Sequence, residues 1–217
     1  MWTAVTYEGK LLIGVETVNV PYHHGRLREA LVDAGVELAR LEGPDAVVLR
    51  AAARAAGVTH NAAYRHFADR DDLLRAVSIR CMEELGGRML AQLDALPSED
   101  DAVTAAWSCL GTAGTAYVEF ALAEPGWFRT AFGVPRTVES IREELVRDPY
   151  QVLVDALDGL VAAGAIAADR RPGAEYAAWS AVHGLSCLLI DGPLRDLPAG
   201  DRQVALDKVL TMAIEGL

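Results

Sequence analysis

The sequence has little of what most function classes require. Its three cysteines, Cys81, Cys109 and Cys187, stand far apart and form no CxxC pair. That excludes a disulfide framework and a paired-cysteine metal site, and it fits a reducing, cytoplasmic setting. The three thiols read as small, buried or half-buried hydrophobes. Aromatic residues make up 6% of the chain and Ile and Thr are scarce, which is a poor composition for a sheet. No run approaches the roughly eighteen apolar residues that a membrane span needs, so no membrane partner is expected. The first twenty residues lack a basic start and an Ala-x-Ala site, so a signal peptide fits poorly. They match nothing that follows and read as a flexible arm or a mis-assigned start.

Catalytic and metal chemistry are equally sparse. There is no Gly-rich phosphate loop, no Ser or Cys nucleophile with an orienting His, and no carboxylate pair at motif spacing. His23 and His24 are adjacent and diverge on a helix, and His60 and His66 have no Cys or carboxylate between them. No metal, no cofactor and no enzyme activity is expected.

What is present is Ala, Leu and Val in long helix-favouring stretches such as Ala51-Ala52-Ala53-Arg54-Ala55-Ala56. The expected fold class is all-α, and 217 residues suffice to bury a real core. Net charge is −11 but unevenly spread. Residues 21–80 hold nine Arg against eight acidic residues, whereas residues 81–217 hold ten basic against twenty-one acidic ones. The acidity therefore sits in the C-terminal two-thirds, and the N-terminal segment is left able to approach nucleic acid.

Apolar periodicity predicts a first helix over Arg26–Leu41, ended by Gly43-Pro44. A second, Leu49–Ala56, is closed by Gly57. A third, Thr59–His66, is capped by the Thr59 hydroxyl. A fourth opens at Asp69-Arg70-Asp71-Asp72 and stops before Pro97, with Gly86-Gly87 serving as either a hinge or a packing contact. Further helices are expected over Asp101–Leu122, over a short aromatic stretch after Glu124-Pro125, and over about 140–163, 174–190 and 201–215. The domains expected are a three-helix unit at 21–67, a linking part of the fourth helix at 68–81 and a helical body at 82–217.

The two short helices joined by Gly57-Val58 have the lengths of a helix-turn-helix. Gly57 can take the positive φ such a turn needs, and Val58 can plug the gap between the helices. Read from periodicity alone, an ordinary hairpin in a bundle explains the same pattern.

The wording goes further. Gly57-Val58-Thr59, then Tyr64-Arg65-His66-Phe67, then Leu73-Leu74 closely resembles the TetR family of bacterial transcriptional regulators. Tyr117-Val118-Glu119-Phe120-Ala121-Leu122-Ala123-Glu124-Pro125, with Phe128 and Phe132-Gly133, resembles the middle of that family's regulatory domain. Trp179 with His183-Gly184 resembles the Trp/His-Gly signature of one C-terminal subclass. The resemblance covers roughly residues 22–215.

The resemblance implies a helix-turn-helix DNA-binding domain followed by a helical regulatory and dimerisation domain. It implies that the third helix enters the major groove of a double-stranded DNA operator, with His60, Asn61 and Ala62 facing base edges. Thr59, Tyr64, His66 and Arg50 would meet the backbone, and Phe67 would fill the core. Two departures stand out. Val48 replaces the usual Ser or Thr and removes a cap worth about 1 kcal/mol. Ala63 replaces a larger residue and thins the packing.

The resemblance also implies a homodimer on a palindromic operator, repression by default, and release by a small-molecule effector. Trp107, Tyr117, Phe120, Trp127, Phe128, Phe132 and Trp179 are candidates for the effector pocket, any of which core packing would also explain. An apolar wall in an acidic domain suits a hydrophobic or cationic molecule. Ala174, Ala178, Ala181, Leu185, Leu206 and Leu210 are candidates for the dimer interface, although one intrachain core accounts for the same stripes. His183 is expected to be a core histidine satisfied by a backbone carbonyl. The alternative function is a helical scaffold that has lost specific DNA recognition.

Overall fold

The computed structural model describes residues 24–135 and 144–216. The expectations for residues 1–20, and for the beginning of a helix near 140, lie outside them. Among the described residues there are helices and turns and no strand. In chain order the helices are α1 (His24–Glu42), α2 (Leu49–Ala55), α3 (His60–Ala63), α4 (Arg70–Asp94) and α5 (Ala102–Ala123). They are followed by α6 (Pro125–Phe132), α7 (Pro149–Ala162), α8 (Ala174–Ile190) and α9 (Ala199–Glu215).

Local chemistry sets most boundaries. Asp69 accepts from the Asp72 N–H at 2.9 Å while Asp72 accepts from the Ala68 N–H at 3.1 Å, a reciprocal cap at the start of α4. Asp101 accepts from the Thr104 N–H at 2.8 Å and opens α5. Pro125 and Pro149 occupy the first turns of α6 and α7, where a missing N–H costs nothing. The expectation of one helix over 140–163 is corrected at this point. Leu145–Asp148 is not helical, and Asp148 caps a fresh start by accepting from the Tyr150 N–H at 2.9 Å.

Packing then joins the pieces. α1, α2, α3 and the first half of α4 enclose Leu31, Val47, Ala52, Ala63, Phe67 and Leu73, all without exposed surface. The same core continues along α4 into α5, α6, α8 and α9 through Leu85, Phe120, Phe128 and Leu185. A second, smaller core lies around Leu157 and Leu160 of α7. Gly86-Gly87 is resolved in favour of packing: α4 runs straight through, and a Cβ on Gly86 would strike the Arg147 carbonyl. No helix among the described residues is long and apolar enough to cross a membrane.

Candidate DNA interface and effector cavity

α2 ends in a Schellman motif. Val58 N–H reaches the Ala53 carbonyl at 2.9 Å, Gly57 N–H reaches the Arg54 carbonyl at 3.2 Å, and Gly57 takes φ 68°. That turn aims α3 outward. Thr59 is extended and its hydroxyl accepts from the Ala62 N–H at 3.3 Å, so its side chain is a cap first. α3 is shorter than expected. After Ala63 the chain tightens, with Arg65 N–H bonding Ala62 and His66 N–H bonding Ala63 at 3.2 and 3.0 Å. Tyr64, Arg65 and His66 thus continue the rod in a narrower coil.

The outer side of this rod is polar. Thr59, His60, Asn61, Tyr64 and Arg65 are exposed, Ala62 and His66 are half-buried, and Ala63 and Phe67 are fully buried. The His60 and Tyr64 rings meet edge to face at 4.7 Å, so they present one joint surface. Arg50 is exposed on α2. Arg28 of α1 lies over the Phe67 ring at 4.3 Å and closes the core beneath α3. Arg70 donates to the Val47 and Pro44 carbonyls at 3.1 and 2.9 Å, tying the loop before α2 to α4. Val48, extended at the start of α2, makes no side-chain cap, as its aliphatic group dictates.

Between α4, α5, α7, α8 and α9 lies an apolar cavity with about 710 Å³ of unfilled space, counting its open mouth. Only about 50 Å³ admits the centre of a water molecule, so it is a slot rather than a chamber. Of the seven aromatic candidates, Tyr117, Phe132 and Trp179 line it. The other four do not. Phe120 and Trp127 stack at 6.4 Å beside α1, Phe128 is buried edge-on behind Tyr117, and Trp107 packs on the core around Leu157. Sequence reasoning missed Met82 and Met89 of α4 and Tyr150 and Leu153 of α7, which carry no local signal.

The polar groups of Trp179 and Tyr117 in the wall are already committed. Trp179 Nε1 donates to the Tyr117 hydroxyl at 3.1 Å, and Tyr117 Oη lies 2.8 Å from His183 Nδ1. The Tyr117 oxygen thus accepts from the Trp179 indole and faces the His183 imidazole, where its role as donor or acceptor follows the tautomer of the ring. Nε2 lies 3.6 Å from Cys187 Sγ. Burial pushes the His183 pKa down and the Tyr117 pKa up, so both stay neutral. His183 is satisfied as expected of a core histidine, but by a phenol rather than a backbone carbonyl. Cys187 is exposed and Cys109 half-buried, which corrects the expectation for Cys187, whereas Cys81 is buried and its thiol is pushed up to about 12.

α6 connects the cavity to the N-terminal helices. Phe132 at its C-terminal end lines the slot. At its other end a Cβ on Gly126 would strike the Ala39 carbonyl of α1, and Trp127 Nε1 donates to the Val36 carbonyl at 2.9 Å. Beside them Glu124 is 8% exposed and receives Arg40 of α1 through two bonds of 2.8 Å and Arg88 of α4 at 3.1 Å. The Arg40 hydrogen bond pulls the Glu124 pKa down, against the opposing effect of burial. Arg40 and Arg88 also lie over the Trp127 and Phe120 rings at 5.0 and 5.3 Å.

The six residues expected at a dimer interface mostly face inward. Ala174, Ala178, Leu185 and Leu206 are buried within the chain, and Leu210 reaches across to Gly114 of α5 and lines the slot; Ala181 is half-buried. The stripe seen in the sequence is thus chiefly the inner face of α8 and α9. Their outer face carries Tyr176, Ala177, Ser180, Gly184 and Leu188 on α8 and Val204 and Met212 on α9.

Two family models match the chain: "Bacterial regulatory proteins, tetR family" over residues 31–77 and "Tetracyclin repressor-like, C-terminal domain" over residues 110–213. No curated protein is similar enough to count as a relative. Among solved structures, a protein of unknown function from Rhodococcus sp. RHA1 is similar at 26% identity and a TM-score of 0.69, over 91% of this chain and 98% of that one. FadR from Bacillus subtilis, solved with stearoyl-CoA, is 16% identical with a TM-score of 0.62 over 87% and 98% of the two chains. RolR, solved with resorcinol, is 20% identical with a TM-score of 0.59 over 89% and 93%. The last two likenesses concern the fold. With one model on the helix-turn-helix, another on the body, and the turn, cap and core of the motif all in place, this chain belongs to the TetR family of bacterial transcriptional regulators.

Proposed function

We propose that the protein is a dimeric repressor that holds a palindromic operator through α3 and lets go when a small molecule fills the slot beside Tyr117. The observation that carries this reading is the polar, outward side of α3, where His60, Asn61 and Tyr64 stand exposed around a cap and a buried Phe67. Asn61 can pair bidentately with adenine, and Arg50, Tyr64 and His66 carry groups that can bond phosphates. One such helix buries too little surface to specify a site, and two copies about 34 Å apart read successive major grooves. The outer face of α8 and α9, small residues flanked by Tyr176, Leu188, Val204 and Met212, suits a self-complementary contact.

α6 supports the link between the two sites. A ligand that displaces Phe132 tilts a helix whose other end bears on α1 at Gly126, Trp127 and Glu124. Only a ligand that binds one setting of α1 better than the other shifts operator affinity, and by the same factor DNA weakens the ligand. Stearoyl-CoA in FadR and resorcinol in RolR are precedents for ligand binding on this fold.

The test is fluorescence anisotropy on the DNA immediately upstream of the protein's own gene, with sedimentation to read the oligomer. The parent chain should bind specifically as a dimer and weaken as salt rises. Asn61→Ala and Tyr64→Ala should each lose at least about tenfold in affinity with unchanged melting temperature. Equal binding of all three to any duplex would remove the α3 assignment.

A further inference from the structure

We infer that the slot between α5 and α8 takes a mainly hydrocarbon molecule without an anionic group, aromatic or short-chain aliphatic, and rejects fatty acids and acyl thioesters of nucleotides. This rests on the effector reading above for its biological purpose, but the binding chemistry stands by itself.

The argument starts from what the wall offers. Met82, Met89, Leu110, Leu153 and Val182 are aliphatic or thioether, and the Met side chains can repack around irregular shapes. Phe132, Tyr150 and Trp179 add ring edges and faces, with Tyr150 and Trp179 meeting at 5.4 Å. The polar atoms contributed by Trp179 and Tyr117 are spent on each other and on His183, as the 3.1 and 2.8 Å bonds describe. A ligand carboxylate or phosphate would have to break that chain to find a donor, and breaking it strands buried partners. An anionic group moved into this wall, whose lining holds no cationic side chain, loses its hydration for nothing. Asp148, the carboxylate in the lining, accepts from the Tyr150 N–H and repels a second anion.

Neutral apolar matter meets none of these penalties. Room for it exists at Gly111 of α5, which lines the slot and has no heavy atom within 4 Å of where a Cβ would stand. Gly114, one turn on, is filled instead, since a Cβ there would lie 2.5 Å from Leu210 Cδ2. The two glycines therefore differ in kind. Gly114 is a packing contact, and Gly111 is open space that a ligand can take. That assigns Gly111 as the residue that sets how much ligand the slot accepts.

The experiment uses the full chain without DNA and two probes in parallel: N-phenyl-1-naphthylamine and hexadecanoate. The naphthylamine should bind saturably with enhanced fluorescence and quench the tryptophan emission, and hexadecanoate should not displace it. Gly111→Leu, which fills the open space with side chain, should weaken naphthylamine binding by at least about tenfold, with the melting temperature unchanged or raised as expected when a helical Gly is replaced. Gly111→Ala, smaller and safe for folding, should weaken it by about threefold. Absence of naphthylamine binding, or displacement by hexadecanoate at comparable concentration, overturns the assignment of ligand class. Parent-like affinity in a folded Gly111→Leu overturns the role of Gly111. Operator binding is measured separately, so loss of the repressor reading and loss of this one give different results.

Discussion

The two ends of the molecule use their polar side chains in opposite ways. Around α3, Arg50, Arg54 and Arg65 are exposed and take part in none of the ion pairs found among the described residues. In the body, Arg171 is held by Asp158 at 2.6 Å and Glu175 at 2.7 Å, and Arg129 by Asp191 at 2.6 Å. Charges that meet phosphate must wait uncompensated, whereas charges that shape a scaffold are neutralised where they stand. A net charge of −11 therefore says little about DNA binding, because the acidic residues sit mostly beyond residue 80.

The contrast extends to what holds each end together. The N-terminal helices are small and depend on Phe67, fully buried beneath Arg28. Phe67→Ala should cost about 3–5 kcal/mol, the largest effect expected of any single change discussed here. Thermal melting should show it, with operator binding lost in step. A loss well below that range would mean that α3 is anchored chiefly by α4 and the Schellman turn.

At the junction of the two ends, Glu124→Ala should cost about 1–2 kcal/mol, less than for a fully enclosed pair because both guanidinium groups keep contact with water. The pH dependence has a defined sign. Arg40 holds the Glu124 carboxyl below the usual range, so the unfolded chain takes up this proton first. The stabilisation is complete above the ordinary Glu range and is lost as pH falls below it. Asp101 and Asp191, also depressed by their partners, act in the same direction. Glu124→Gln should therefore flatten part of the acid limb of a melting-temperature profile and leave the neutral region parallel to the parent. An unchanged acid limb would show that the link between α1 and α6 is carried by Trp127 and Gly126 instead.

These contacts also mark how far the sequence can be read. Gly57, Thr59, Asp69, Asp101 and Pro125 act within a turn of where they stand, so boundaries and the helix-turn-helix were legible. Glu124 was visible as part of a family stretch, yet its partner Arg40 lies 84 residues away and nothing local announces the pair. The slot draws Met82, Tyr150 and Trp179 from separate helices, and only tertiary packing assembles them. Leu185 and Leu206 are buried within the chain, and periodicity could not tell this, because it reveals that a face is apolar and not whether its own chain already covers it.

The exposed-against-paired contrast can be tested directly. Arg50→Ala should lower the slope of log affinity against log salt by about 0.9, the value of one phosphate contact on duplex DNA, with no change in melting temperature. Arg171→Ala should do the reverse, leaving the salt slope alone and lowering stability slightly. Equal slopes for parent and Arg50→Ala would place that guanidinium away from the DNA.

The smallest effect is expected at Val48, where the sequence departs from its family in the direction of weaker binding. Its backbone is already extended as an N-cap requires, and its side chain is 36% exposed, so little packing is lost on replacement. Val48→Ser supplies a hydroxyl to the orphan N–H groups at the start of α2 and should add about 0.5–1 kcal/mol. The same hydroxyl, at the start of α2, would also be available to a DNA phosphate. Operator affinity should then rise modestly and by a similar amount at low and high salt, since a neutral hydroxyl releases no counterion. A rise in melting temperature without tighter DNA binding would separate the cap from the contact, and would mean that α2 meets the duplex through its arginines alone.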